Sequence, residues 1–328
     1  MTVGITALAS FVPERAVTND ELAKSVDTSD EWIVSHTGIS QRHLADPDVA
    51  ASDLALAAAR RTLDQRGITP DEIDLIIVAT SSPDYAPFPA SACIVQERLG
   101  CQNAGAFDLQ AGCTGFVYGL ETAKGFVAAG SVKRVLVIGS EVLSSITNWS
   151  DRNTCVLFGD GAGAAVVEHL EEQGGHEIVT SWLRSQGSGE TALIRRAGGS
   201  REPFNSKVHS PADFSIAMDG KKVYLFAVDA LVKTVTTICG RTEIPIEELR
   251  WIVPHQANAR IIEAAAKRLK LPVERFFMNL DRYANTSAAS IPIAMDEMME
   301  KGLLEPGQNV LTIGFGAGLT YGGNLIRW

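Results

Sequence analysis

The chain has 328 residues, 45% hydrophobic and 21% charged, with a formal net charge of −10. This is globular composition at roughly two domain-sized units, and the negative balance disfavours nonspecific nucleic-acid binding, which needs a basic face. Five cysteines without a C-x-x-C pair and six scattered histidines argue against a disulfide framework and a metal site. No apolar run approaches the ~18 residues of a membrane span. Met1-Thr-Val-Gly-Ile-Thr-Ala-Leu lacks the basic leader of a signal peptide. The expectation is a cytoplasmic, metal-free α/β protein with neither membrane nor nucleic acid as partner.

In chain order, Thr28-Ser-Asp-Glu-Trp32 reads as a helix start, with Thr28 or Ser29 as cap and Asp30 and Glu31 in the first turn. Trp32 is then either core or a flat stacking surface. Ser52 to Gly67 has helical periodicity through Leu54, Ala55, Ala58, Ala59 and Leu63, and Pro70-Asp-Glu-Ile-Asp leads into a buried strand, Leu75 to Ala79. A Pro-rich loop from Ser82 to Pro89 precedes a helix from Ala90 to Leu99. An apolar strand through Ala106, Phe107 and Leu109 stops at Ala111-Gly112, and Cys113 stands where a helix carrying Phe116, Val117, Leu120, Ala123 and Val127 begins. A thiol at such a junction faces unpaired N–H groups and the positive end of the helix, which is expected to lower its pKa and make it a nucleophile. The plainer reading is a buried structural cysteine.

A second apolar strand, Val135 to Ile138, follows, then Asp151-Arg152 in a loop. Gly159-Asp-Gly-Ala-Gly163 departs from the dinucleotide spacing and runs into a β-branched strand, where a nucleotide fingerprint needs a helix. This run and Gly314-Phe-Gly-Ala-Gly318 are expected to be places of close backbone packing. From His169 to about Phe214 the periodicity weakens, which reads as linker and irregular excursion over about 170–214. The expected halves are 1–170 and 171–328.

The second half repeats the first. The helix ending at Gly67, the Thr69-Pro-Asp-Glu-Ile-Asp turn and the strand Leu75–Val78 are matched by Val223–Cys239, Ile244-Pro-Ile-Glu-Glu-Leu-Arg and Trp251–Val253. From Val78 to Cys113 is 35 residues, and from Val253 to Asn285 is 32. Both positions precede helices that end near a glycine, Gly130 or Gly302, and lead to apolar strands. A duplicated α/β/α unit makes Cys113 and Asn285 pseudo-equivalent helix starts, brought to one central site. His255, just past a strand's C-terminal end, would face the same crevice. Alone, His255 could be a structural histidine and Asn285 a simple helix cap.

The motifs Thr28-Ser-Asp-Glu-Trp-Ile-Val, Ala-Gly-Cys113-Thr-Gly-Phe, Phe158-Gly-Asp-Gly-Ala-Gly-Ala, His255-Gln-Ala-Asn-Ala-Arg260, Asn285-Thr-Ser-Ala-Ala-Ser and Gly314-Phe-Gly-Ala-Gly-Leu-Thr-Tyr-Gly span nearly the whole chain. It resembles the β-ketoacyl-acyl carrier protein synthase III family of the thiolase-like superfamily. The resemblance implies a pseudo-two-fold α-β-α-β-α fold, and a homodimer that takes an acyl group from acyl-CoA and condenses it with malonyl-acyl carrier protein. No resident cofactor is implied; coenzyme A enters as a thioester substrate. It implies Cys113 as nucleophile, His255 and Asn285 as donors to the malonyl thioester, and an oxyanion hole from the backbone N–H groups of Cys113 and Ala317. It further implies Trp32 and Arg152 around the adenine, with Thr28 nearby, Asn258 on the pantetheine arm and Gly220 and Tyr224 lining the channel. Phe88 would close the partner's acyl pocket, and Gln256, Arg260 and Lys267 would meet the carrier protein.

The helix after His255 has its apolar stripe on Ile261, Ile262, Ala265 and Leu269, leaving Arg260 and Lys267 on one outer face with Arg268 beside them. On an acidic protein this local basic patch suits an acidic partner. Three positions depart from the family pattern: His36 stands where relatives carry an arginine for the CoA phosphates, Tyr224 where they carry a phenylalanine, and Leu225 where some carry a lysine. The main alternative is a condensing or acyl-transfer enzyme of secondary metabolism with another primer or extender. A hydroxymethylglutaryl-CoA-type synthase needs a carboxylate base, and no acidic residue lies next to the three catalytic motifs. An inactive partner subunit would have no need of all three groups.

Overall fold

Alternating apolar runs and capped amphipathic stretches give alternating strands and helices. The computed structural model describes residues 2–170, 174–205 and 207–328. Its strands are β1 (Val3–Phe11), β2 (Ala16–Thr18), β3 (Gln41–His43), β4 (Leu75–Ala79), β5 (Gly105–Leu109), β6 (Arg134–Glu141), β7 (Gly161–His169), β8 (His176–Ser185), β9 (Leu193–Arg195), β10 (Ile216–Met218), β11 (Leu249–Pro254), β12 (Asn309–Gly316) and β13 (Thr320–Arg327). The helices are α1 (Asn19–Leu22), α2 (Asp30–Thr37), α3 (Ala51–Arg66), α4 (Ser91–Leu99), α5 (Gly115–Ala128), α6 (Gly220–Thr242), α7 (Ala259–Leu269), α8 (Leu280–Tyr283) and α9 (Ser290–Glu300). Of the two candidate caps of α2, Ser29 is the one used; its hydroxyl accepts from the Trp32 N–H at 3.2 Å.

Nine strands form one mixed sheet in the order β11-β12-β13-β8-β1-β7-β6-β4-β5. β5, β4 and β6 are parallel, while β7 runs antiparallel to both β6 and β1. Across the molecule β11 and β12 are parallel, and β13 is antiparallel to both β12 and β8. The series β4, β6, β7, β1 is thus repeated as β11, β12, β13, β8. The counterpart of β5 is reduced to one parallel bridge, Ile252 to Phe276. The two series join where β1 and β8 pair, at Gly4–Glu177 and Ile5–His176.

Helices fill three layers around this sheet. On the outer face of the first series α3 and α4 bury Ala55, Ala58, Leu63 and Val95 against Ile76, Ile138 and Val166. On the outer face of the second, α6 and α7 bury Leu231, Val235 and Ile262 against Leu311 and Leu325. Between the two, α5 and α9 bury Phe116, Leu120, Met295 and Met298 against Val137, Val167 and Val310. The result is the expected α-β-α-β-α layering. Strands covered on both faces explain why Leu75–Ala79 and Val135–Ile138 read as unbroken apolar runs. Each large side chain buried in the middle layer stabilises it by roughly 1.5–3 kcal/mol, so the approaches to α5 and α9 are held rigidly.

Two expectations change. The stretch 170–214 is irregular only in part, because β8 is a ten-residue strand paired along the length of β13. Its sequence, His-Glu-Ile-Val-Thr-Ser-Trp-Leu-Arg-Ser, mixes buried Ile178 and Trp182 with half-exposed polar residues, so no apolar run marks it. Helix α6, at 23 residues, is long and apolar enough to cross a membrane by length and composition, yet it lays Leu231, Val235 and Ile238 on the sheet as a packing helix. The glycine run after Phe158 is a close-packing device as expected: a Cβ on Gly163 would lie 2.6 Å from that of Pro292 at the start of α9.

Candidate active site

Cys113 lies in a 3-10 turn, Gly112–Thr114, between β5 and α5. Gly112 takes φ +54°, a left-handed conformation that lets the chain turn into the helix. The loop after β12 passes directly over it. A Cβ on Gly316 would sit 2.8 Å from the Cys113 nitrogen and 3.1 Å from its Sγ, and one on Gly112 would sit 3.1 Å from the Ala317 nitrogen. The two N–H groups expected to form the oxyanion hole are therefore neighbours, and that of Ala317 has no acceptor among the described residues.

His255 follows β11 and is 1% exposed. Its Nδ1 is 2.7 Å from Ser290 Oγ, and its ring packs edge-on to Phe315 at 5.2 Å between centroids. Ser290 Oγ already accepts from the Gln256 N–H at 3.3 Å. Its hydroxyl proton is best spent on Nδ1, which leaves the histidine proton on Nε2. Burial pushes the His255 pKa down to about 3, so the ring is neutral. Asn285 does not cap α9 directly. It lies five residues earlier, its backbone bridged to Phe158, with Oδ1 accepting from the Ser287 N–H at 2.9 Å. Its Nδ2 makes no hydrogen bond among the described residues, so the side chain is an available donor.

The thiol departs from the expected pKa. Burial pushes Cys113 up to about 12; contact with the Ser287 side chain opposes this and the charge of Glu141 adds to it. At 8% exposure, and preceded by a tight turn, the sulfur loses more hydration than the helix end returns. The acidic neighbour itself is a second correction. None lies next to the catalytic motifs in sequence, yet the fold brings Glu141, the last residue of β6, alongside.

Two cavities of about 410 Å³ and 460 Å³ meet at Cys113. The first is lined by Trp32, Gly220, Tyr224, Asn258, His255 and Asn285, gathering six of the expected residues along one channel. The second lies beyond the cysteine, among Leu143, Ile146, Ile194, Ile216, Ser287 and Ala317. At the mouth of the first, the Arg152 guanidinium stands 4.9 Å over the Trp32 ring and donates to the Asp27 carbonyl at 3.0 Å. A flat ring stacked on both needs about twice a 3.5 Å contact, so Arg152 must swing outward to admit one. Thr28 lines neither cavity, and its buried Oγ1 has no partner among the described residues. His36, which also lines the first cavity, stacks on Trp32 at 4.3 Å with Nδ1 2.7 Å from the Trp32 carbonyl.

Gln256 contradicts its expected role. It is 1% exposed, and its amide bonds the Pro254 and Phe277 carbonyls and the Asn279 N–H at 2.8, 3.1 and 3.0 Å. A side chain so enclosed braces the loop behind His255 and cannot touch a docked protein. Asn258 is also largely committed: it caps α7 through the Arg260 N–H and holds the His36 carbonyl at 3.1 Å. Arg260 and Lys267 are exposed on α7, and Phe88 projects from its loop at 79% exposure, lining neither cavity of its own chain. Glu141, Ser287 and Ser290 escaped the sequence reading. Both serines stand in the motif around Asn285, and Glu141 is the acid that ends an apolar strand, where burying it is costly.

A buried cysteine, a neutral histidine and a carboxamide with an unused N–H around one cavity floor, on a duplicated layered fold, are the marks of a condensing enzyme of the thiolase-like class. Residues 107–187 match the family model for 3-oxoacyl-[acyl-carrier-protein] synthase III, and residues 239–328 match that for its C-terminal part. The chain is 49% identical over 328 residues to the β-ketoacyl-[acyl-carrier-protein] synthase III of Caldanaerobacter subterraneus subsp. tengcongensis, covering 100% of this chain and 98% of the relative. To that of Clostridium acetobutylicum it is 48% identical over 327 residues, covering 100% and 99%. The crystal structure of the Thermus thermophilus synthase superposes with a TM-score of 0.91 at 42% identity, covering 99% of each chain. The chain belongs to the β-ketoacyl-acyl carrier protein synthase III family, the acyltransferases whose condensation starts fatty-acid synthesis.

Proposed function

We propose that this chain moves an acyl group from acyl-CoA to Cys113 and then condenses it with malonyl-acyl carrier protein. The observation that carries this reading is the meeting of two cavities at Cys113, with His255 and Asn285 facing the outer one. In the first half-reaction Sγ attacks the thioester carbonyl. The oxyanion is received by the N–H groups of Cys113 and Ala317, and CoA leaves. In the second, the malonyl thioester carbonyl accepts from His255 Nε2–H and Asn285 Nδ2–H. Loss of CO2 leaves an enolate whose charge these two donors stabilise without carrying charge themselves. Its carbon attacks the acyl-Cys113 carbonyl, forming the β-ketoacyl thioester on the carrier and freeing the sulfur.

The halves would divide near residue 170, Cys113 coming from one, His255 and Asn285 from the other. Trp32 and Arg152 would hold the adenine once Arg152 swings out, with Thr28 close by, and Gly220, Tyr224 and Asn258 would border the pantetheine arm. Arg260 and Lys267 offer an acidic carrier protein a basic face on an otherwise acidic molecule. Phe88, too exposed for a free aromatic, would close the acyl cavity of a second copy in a homodimer working in the cytoplasm. CoA is substrate here, and the two half-reactions need no redox or metal step. Intact-mass spectrometry after mixing with acetyl-CoA and branched acyl-CoAs tests the reading: an acyl adduct absent from Cys113→Ser is expected. No adduct with any of them would sink it.

A further inference from the structure

The two N–H groups that would receive the oxyanion belong to separate stretches of chain: Cys113 to the turn before α5, Ala317 to the loop between β12 and β13. They can serve one oxygen only if the two stretches keep a fixed register. Glycines let the stretches approach: a Cβ on Gly314 would lie 2.8 Å from the Thr114 Cα. Among the described residues, every hydrogen bond that joins residues 111–114 to residues 314–320 involves one atom, Thr320 Oγ1 at the start of β13. It lies 2.8 Å from the Ala111 carbonyl oxygen, 3.0 Å from the Ala317 carbonyl oxygen and 2.9 Å from Thr114 Oγ1. Carbonyls only accept, so the Thr320 proton is shared between the two carbonyls and Thr114 is the donor in its pair.

This hydroxyl grips the cysteine turn two residues before Cys113 and one after it, and its own loop at Ala317. The Ala111 carbonyl is one peptide before the Gly112–Cys113 peptide, which carries the first oxyanion donor. The Ala317 carbonyl is one peptide after the Gly316–Ala317 peptide, which carries the second. On the other side the loop is tied to the end of β8, where the Gln186 and Leu319 backbones exchange hydrogen bonds at 2.8 and 3.2 Å. Thr320 also lines the second cavity, yet its proton is committed to the backbone. The bridge makes no hydrogen bond to His255 or Asn285 among the described residues.

We propose that Thr320 is a positioning residue of the oxyanion hole, its hydroxyl holding the Cys113 and Ala317 N–H groups in register for the acyl thioester carbonyl. This rests on the acyl-transfer reading above. The role is confined to attack on that carbonyl. Stabilisation of the malonyl enolate by His255 and Asn285 does not depend on it, and neither does the reactivity of the sulfur towards a saturated carbon.

The test compares wild type, Thr320→Val, which keeps the branched shape and removes the hydroxyl, and Thr320→Ser, which keeps the hydroxyl. Three rates are read: acylation by the acyl-CoA, acetyl or branched, that loads the wild type, alkylation of Cys113 by iodoacetamide, and CO2 release from malonyl-carrier by enzyme loaded to completion. Acylation should fall by about 10–10²-fold in Thr320→Val, the cost of donors misplaced by up to about 1 Å, and recover to within a few-fold of wild type in Thr320→Ser. Alkylation forms no oxyanion, so it and CO2 release should stay close to wild type in both variants. A distorted loop or a displaced sulfur would instead lower all three rates together. Acylation within a few-fold of wild type in Thr320→Val, no recovery in Thr320→Ser, or a parallel fall in alkylation or CO2 release would overturn the proposal. Failure of the underlying acyl transfer shows instead in the wild type, as no adduct at all.

Discussion

Replacing Ser290 with alanine removes the group that decides which nitrogen of His255 carries the proton. The ring is 1% exposed, and Nδ1 would lose its 2.7 Å partner. Leaving a buried polar atom unsatisfied costs about 1–3 kcal/mol, and each 1.4 kcal/mol is roughly tenfold in an equilibrium. The Nε2–H form, the one able to donate to the malonyl thioester, would therefore lose its bias over the Nδ1–H form. Malonyl decarboxylation should fall roughly 10–100-fold, less than the ~10²–10³ expected for deleting such a donor outright. The assay is CO2 release from labelled malonyl-carrier by enzyme already acylated, with adduct formation on Cys113 as internal control. Decarboxylation at the wild-type rate, or an equal loss of acylation, would refute the tautomer argument.

Three further outcomes follow from the geometry. Gly316→Ala would drive a Cβ to within 2.8 Å of the Cys113 nitrogen and displace the loop bearing Ala317; acylation should drop by about 10²-fold, and a normal acylation rate would show that this loop is not part of the oxyanion hole. Because burial depresses His255 to about 3, its neutral form is fully present above pH 5 and is lost only as pH falls through that value. Decarboxylation by acylated enzyme should show no inflection near pH 6.5, and finding one would mean the ring titrates as an exposed histidine. Charge reversal at Arg260 and Lys267 together should raise KM for the malonyl-carrier at least tenfold, in a salt-dependent way, while loading from acyl-CoA is unchanged; equal effects on both substrates would remove α7 from the docking surface.

What the sequence discloses is what local pattern encodes. The fully apolar strands, the Gly67 helix stop and the repeated spacing from Val78 to Cys113 and Val253 to Asn285 are enough to predict the duplicated fold and the three groups at its centre. Where side chains alternate between faces the pattern fails, and β8 passes for a loop because Ile178 and Trp182 are spaced among polar residues. Charge and enclosure are less legible still. A helix start suggests an acidified thiol, but the sign is set by how much water the fold removes, and burial of Cys113 reverses it. Gln256 looks like a surface residue beside a basic helix until the loops from Pro254 and Phe277 close around it. Glu141 lies 28 residues from Cys113 in the chain, and the two are neighbours only because β6 ends beside the turn before α5.

The division of labour at the centre is most directly tested by measuring the two half-reactions separately in His255→Ala and Asn285→Ala. Both variants should still form the acyl adduct on Cys113 at close to the wild-type rate while malonyl decarboxylation falls by about 10²–10³-fold. Equal loss of both half-reactions in either variant would contradict the roles given to the three residues.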